Sequence, residues 1–155
     1  MSTGRGSIGR ALLYGTLAVG ILDIVDAFLF FGLRSGVRPM RILQSIAAGL
    51  LGRASFSGGW RTAALGLLLH FFIAFVIVLV FVLARRWLPV LRRPVIVSGL
   101  LYGIAVYLTM TFVVVPASAA GGGVPAWPVA LNGVLIHMFG VGLPAALAAR
   151  YFGTR

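Results

Sequence analysis

The sequence contains no cysteine, lysine or glutamate, and its only acidic residues are two aspartates. The absence of cysteine excludes disulfide bonds and thiolate metal sites. Charged residues make up only 10% of the 155 residues, whereas 61% are hydrophobic. A chain this short would need a larger share of polar residues to cover a soluble core. The composition therefore excludes an ordinary soluble domain and predicts an integral membrane protein.

Arginine supplies all 13 basic side chains, which gives a formal net charge of +11. In a soluble protein such a charge would indicate nucleic-acid binding. Here the arginines lie between apolar runs, where they contact anionic lipid headgroups and set the orientation of the spans. We therefore expect the partner to be the lipid bilayer with its anionic lipids, and we expect no nucleic-acid partner.

Four apolar runs reach the length of about 20 residues that a helix needs to cross the hydrocarbon core. They cover residues 11–33, 63–84, 95–115 and 129–149. The first run is about twice as long as the apolar part of a signal peptide and contains both aspartates, so we expect it to be retained. The prediction is an all-α fold, a four-transmembrane-helix bundle that forms one domain over residues 1–155.

An even number of spans places both termini on one side of the membrane, and the arginine count predicts which side. Eight arginines lie on the side of the termini: Arg5, Arg10, Arg85, Arg86, Arg92, Arg93, Arg150 and Arg155. Five lie on the other side, all in the first connection: Arg34, Arg38, Arg41, Arg53 and Arg61. Because cytoplasmic connections carry an excess of arginine, we predict that both termini are cytoplasmic.

The first connection also predicts a short amphipathic helix over residues 39–52. Pro39 suits its first turn and Gly52 its end, with apolar residues at helical spacing between them. One interpretation is a helix that lies in the outer membrane interface between the first two spans. The alternative is a lid over a cavity. Tryptophans close to the span ends indicate interface anchors at Trp60, Trp87 and Trp127.

The second and fourth spans begin with similar sequences, which predicts an internal repeat. Residues 60–72 read WRTAALGLLLHFF and residues 127–139 read WPVALNGVLIHMF, so six positions match, including one tryptophan and one histidine. The first and third spans share LLYG, at residues 12–15 and 100–103. The chain is therefore predicted to consist of two repeated helical hairpins, related by an axis along the membrane normal. His70 and His137 would then be equivalent.

All the acidic and histidine side chains lie inside predicted spans: Asp23, Asp26, His70 and His137. Ionisable groups in hydrocarbon are costly unless they are paired or hydrated, so they are candidate functional residues. Asp26 and both histidines lie seven or eight residues from the outer ends of their predicted helices, roughly 10 to 12 Å deep. Thr109 and Thr111 of the third span bracket this layer, which is predicted to be a common proton or ion site.

Three functions are compatible with this layer. The side chains can bond to one another and only hold the helices together, as in a homo-oligomer or an accessory subunit of a larger membrane complex. They can instead form a proton-responsive or ion-binding site linked to transport, exchanging a proton between about pH 5 and 8. Alternatively, His70 and His137 can ligate haem b, or a divalent metal together with the aspartates. The sequence shows no nucleophile motif or phosphate loop, so we do not expect an enzyme.

Several segments together resemble the YagU-like bacterial inner-membrane proteins. The resemblance covers roughly the last 90 residues and rests on Gly66 to His70, the arginine-bounded turn at 85–93, the second LLYG, and GVLIHMF at 133–139. It implies a multi-pass protein of the bacterial inner membrane, and it supports a proton-linked role because that family is associated with acid resistance. The N-terminal half departs from the family pattern, and no functional residue is carried over.

Overall fold

The computed structural model describes residues 7–92 and 94–152, and within these residues the regular secondary structure is entirely helical. The α-helices are α1 (Ile8–Ser35), α2 (Pro39–Leu51), α3 (Gly59–Ala84), α4 (Val95–Thr109), α5 (Val115–Ala117), α6 (Trp127–Ile136) and α7 (Leu143–Tyr151). Short 3-10 helices follow α2 and precede α4, at Gly52–Ser57 and Pro89–Arg92. Three arginines used for the topology prediction lie outside the described residues: Arg5, Arg93 and Arg155.

Four helical stretches are long and apolar enough to cross a membrane. They are Ile8–Ser35, Gly59–Ala84, Val95–Ala117 and Trp127–Tyr151, and they include the four predicted runs. The predicted fold class, an all-α bundle of four membrane-length helices, is confirmed. The duplication of the hairpins stays a prediction.

The third and fourth spans each contain a short segment of π-helix, five residues at Met110–Val114 and six at His137–Gly142. A proline follows each π segment at its second residue, Pro116 and Pro144. Proline has no backbone N–H and crowds the carbonyl four residues before it, so the regular α-helical bonding cannot continue there. A wider π turn just before the proline accommodates this local break.

One end of the bundle holds both ends of the described chain, and we call it the Arg85 end. The rings of Tyr14 and Phe152 lie 4.8 Å apart there, which brings the start of α1 against the end of α7. The Arg85 guanidinium donates to the carbonyl of Ala149, so the turn after α3 lies at the same end. The main buried apolar cluster occupies this half of the bundle and includes Phe81.

The opposite end is covered by α2, and we call it the α2 end. The close approach of α2 to α3 depends on Gly66, because a Cβ at this position would overlap the Leu43 carbonyl. The Gln44 amide donates to the carbonyl of Gly59 at 3.1 Å, which fixes α2 at the start of α3. The Ala119 N–H donates to the carbonyl of Gly49 and ties α2 to the loop before α6. The helix predicted over 39–52 is therefore present, while its position in the membrane interface stays a prediction.

The third and fourth spans cross with their backbones in contact. A Cβ on Gly103 would overlap the carbonyl of His137, and a Cβ on Gly142 would overlap that of Gly99. Gly99 and Gly103 are four residues apart, the spacing at which small residues let two membrane helices approach closely. This contact fixes the position of His137 next to α4.

Candidate functional site

The predicted ionisable residues lie in the middle part of their helices. Asp26 is nine residues before the end of α1 at Ser35, His70 is eleven residues after the start of α3, and His137 is ten residues after the start of α6. At about 1.5 Å per residue these positions are about 14 to 17 Å from the helix ends. They lie deeper than the sequence predicts, because all three helices extend farther at the α2 end than the apolar runs do.

Asp23 and His70 face each other between α1 and α3. The distance from His70 Nδ1 to Asp23 Oδ2 is 4.0 Å, and the side chains are 11% and 28% exposed. The other ring nitrogen, Nε2, lies 2.8 Å from the carbonyl oxygen of Gly20. A carbonyl oxygen can only accept a hydrogen bond, so Nε2 carries a hydrogen and donates it. The second nitrogen, Nδ1, is therefore directed at a carboxylate.

Gly20 brings α1 close enough to α3 for this bond to form. A Cβ on Gly20 would overlap the ring of Phe71, so only glycine lets that ring pack directly against the α1 backbone. The Phe71 ring meets the His70 imidazole edge to face, with ring centroids 5.5 Å apart. His70 itself lies on the buried face of α3 with Ala63, as the stripe of small residues predicts.

Asp26 is bonded to a different helix. The Asn132 Nδ2 of α6 donates to Asp26 Oδ2 at 2.7 Å, which links the first span to the fourth. Asn132 is not among the site residues predicted from the sequence. The two aligned segments, 60–72 and 127–139, do contain a signal for it. Asn132 is aligned with Leu65, and this is the one position where the fourth span has a polar residue and the second span an apolar one.

His137 has a local partner and a different backbone setting from His70. Its Nδ1 donates to the carbonyl of Gly133 one turn earlier at 2.8 Å, and the Tyr107 ring of α4 lies 5.5 Å from the imidazole. His137 is also the first residue of a π segment, a feature often found at functional sites. The two histidines therefore occupy matching sequence positions with different hydrogen bonds.

The remaining predicted residues lie apart from these pairs or on the surface. The Thr109 hydroxyl donates to the carbonyl of Ala105 on its own helix at 2.8 Å and is exposed. Thr111 is half-buried within the first π segment. The tryptophans are 70%, 81% and 74% exposed at Trp60, Trp87 and Trp127, and anchoring at the membrane interface remains their predicted role.

The geometry does not form the predicted metal site. In the part of the chain that the structure describes, no three His, Cys, Asp or Glu side chains come close enough together to hold a metal ion. The two aspartates and two histidines are divided among separate contacts instead. Haem b ligation by His70 does not fit this arrangement either, because Nε2 is bonded to Gly20 and Nδ1 faces Asp23.

Comparison of the chain with protein-family models, with curated proteins and with solved structures gives no match. The resemblance to YagU-like proteins therefore stays a prediction.

Proposed function

We propose that this chain is an integral membrane protein whose Asp23–His70 pair binds and releases a proton within the bilayer, which makes the protein proton-responsive. The observation that carries the proposal is the orientation of the imidazole. Its Nε2–H is used for the carbonyl of Gly20, so the remaining nitrogen points at the Asp23 carboxyl.

The number of protons on the pair follows from its charge. Without a proton between them, an imidazole lone pair faces a carboxylate and the pair carries a net charge of −1. One proton, on either Nδ1 or the carboxyl, makes the pair neutral overall. An unbalanced charge in the membrane interior costs several kcal/mol, so gain or loss of this proton changes the energy of the bundle interior. Loss of the proton then changes the attraction between α1 and α3.

The membrane location is part of the same proposal. The arginine distribution supports both termini in the cytoplasm, and the resemblance to YagU-like proteins supports the bacterial inner membrane. The two described chain ends share one end of the bundle, as an even number of spans requires. In proton-linked transport, binding or release of the proton would change the contact between α1 and α3.

The test is a pH titration of the purified protein in lipid. Infrared spectroscopy reports the protonated carboxyl and ¹⁵N NMR reports the imidazole, so together they detect the proton wherever it lies. Asp23→Asn should displace the titration of the pair, because it removes the carboxyl that faces the ring. Asp26→Asn is the matched control, and it should displace that titration less than Asp23→Asn does, because Asp26 does not face the ring. Equal titrations in wild type and Asp23→Asn would refute the proposal.

A second function, a purely structural subunit of a homo-oligomer or a larger membrane complex, is favoured by the contact between Asp26 and Asn132. That hydrogen bond joins the first and fourth spans and requires no proton exchange. Under this alternative, Asp23→Asn and Asp26→Asn should both lower stability without altering any pH-dependent signal. The pH titration of wild type, Asp23→Asn and Asp26→Asn separates the two functions.

A further inference from the structure

A basic cavity lies at the Arg85 end of the bundle, well away from the Asp23–His70 pair. Its volume is about 270 Å³. Arg85, Arg92 and Arg150 line it together with the apolar residues Phe81 and Leu91. The cavity therefore combines three basic residues with apolar ones.

The chain supplies no acidic side chain to balance these charges. The sequence has only two acidic residues, Asp23 and Asp26, and both lie in the middle of α1. Asp23 is fifteen residues from the start of α1 at Ile8, about 22 Å along the helix. Three arginines around one cavity repel one another and produce a local positive potential, which attracts a ligand of opposite charge.

Hydrogen bonds to the backbone hold two of these arginines in place. Arg85 Nη1 donates to the carbonyl of Ala149 at 3.2 Å, and Arg92 Nε donates to the carbonyl of Arg85 at 3.3 Å. A guanidinium has five N–H donors, so these bonds leave donors for a ligand. The planar arrangement of those donors matches the oxygens of a phosphate, which arginine commonly binds with two parallel bonds.

The start of α4 provides a further attraction for an anion. Val95 is the first residue of this helix and lines the cavity with Pro94. The backbone N–H groups in the first turn of a helix lack partners within the helix, and the helix dipole is positive at this end. Both effects act in the same direction as the three guanidinium charges.

We propose that this cavity binds a phosphate group. Two sources share this chemistry, the phosphodiester headgroup of an anionic phospholipid and free inorganic phosphate. The apolar residues in the lining and the position at a span end suit a lipid headgroup, and basic pockets between membrane helices commonly hold anionic lipids. The site is independent of proton binding at Asp23.

The test uses the full chain in detergent and counts bound lipid by native mass spectrometry. The protein is titrated with phosphatidylglycerol and, separately, with phosphatidylcholine, which has the same phosphodiester but no net charge. Arg150→Gln is the main variant, because Arg150 is exposed and its replacement disturbs little packing. Arg34→Gln is the matched control, since Arg34 is an exposed arginine in the last turn of α1 at the α2 end. Arg85→Gln is a second variant, checked for folding by its tryptophan fluorescence.

We expect one phosphatidylglycerol to be retained and phosphatidylcholine to be lost. Removal of one arginine near an anionic headgroup should weaken binding by about fivefold in Arg150→Gln and at least as much in Arg85→Gln, with no change in Arg34→Gln. Displacement of the lipid by inorganic phosphate would identify free phosphate as a ligand, and retention of the lipid would identify the headgroup. Equal retention of both lipids without phosphate binding, or equal weakening in Arg150→Gln and Arg34→Gln, would overturn the proposal.

Discussion

Replacement of Gly103 by alanine tests the contact between the third and fourth spans directly. The added Cβ would lie 2.7 Å from the Cα of Met138 and would also overlap the carbonyl of His137. Carbon atoms in contact prefer a separation of about 3.5 to 4.0 Å, so one helix has to move by about 1 Å. Such overpacking typically costs about 1 to 3 kcal/mol. Alanine recovers up to about 1 kcal/mol through its higher helix propensity, which leaves a net loss of up to about 2 kcal/mol relative to wild type.

The matched control is Gly32→Ala, the same chemical change near the end of α1. Its added Cβ would meet only the carbonyl of Val37 at 3.8 Å, an ordinary contact. This variant should be as stable as wild type or slightly more stable. The free energy of unfolding is measured in mixed micelles by titration with SDS, followed through tryptophan fluorescence. If Gly103→Ala were as stable as Gly32→Ala, the backbones of the two spans would not be in contact.

Three further predictions concern the contacts of α1 and α2. Asn132→Leu, which restores the residue of the first repeat copy, should lower the free energy of unfolding by about 0.6 to 1.7 kcal/mol by breaking the bond to Asp26, and no loss in the SDS titration would contradict that bond. Gly66→Ala should separate α2 from α3 and raise hydrogen exchange in α2, whereas exchange equal to wild type would show that α2 does not rest on Gly66. If the Asp23–His70 pair binds a proton as proposed, stability should fall as the pH rises above about 6.5, the ordinary pKa of histidine, because the folded protein then keeps a proton that the unfolded chain has released. Asp23→Asn should remove this dependence, and a dependence unchanged in the variant would place the proton elsewhere.

The spans were predictable because crossing a membrane depends on length and composition, which are properties of each segment by itself. The same holds for α2, since Pro39 and Gly52 mark its limits in the sequence. The burial of His70 was predictable too, because Ala63 and Gly66 lie on the same helical stripe and small residues mark helix contacts.

The partners of the ionisable side chains were not predictable in this way. The bond between Asp26 and Asn132 depends on how α1 and α6 are rotated about their axes, and helix periodicity fixes only which residues share a face. The π segments also change the rotation of the residues that follow them. Pro116 and Pro144 were the available signal for those segments, since each removes an α-helical hydrogen bond from its span.

The two aspartates divide the contacts of α1 between the two halves of the chain. Asp23 faces His70 on α3, whereas Asp26 binds Asn132 on α6, although only three residues separate the two aspartates on the helix. The Asn132 amide is neutral and has no proton that titrates. It can therefore keep its hydrogen bond to Asp26 whether or not the Asp23–His70 pair is protonated. Under the proposed function, the contact with the fourth span therefore stays fixed while the contact with α3 responds to the proton. This asymmetry is the physical reason to assign proton binding to Asp23 and anchoring to Asp26.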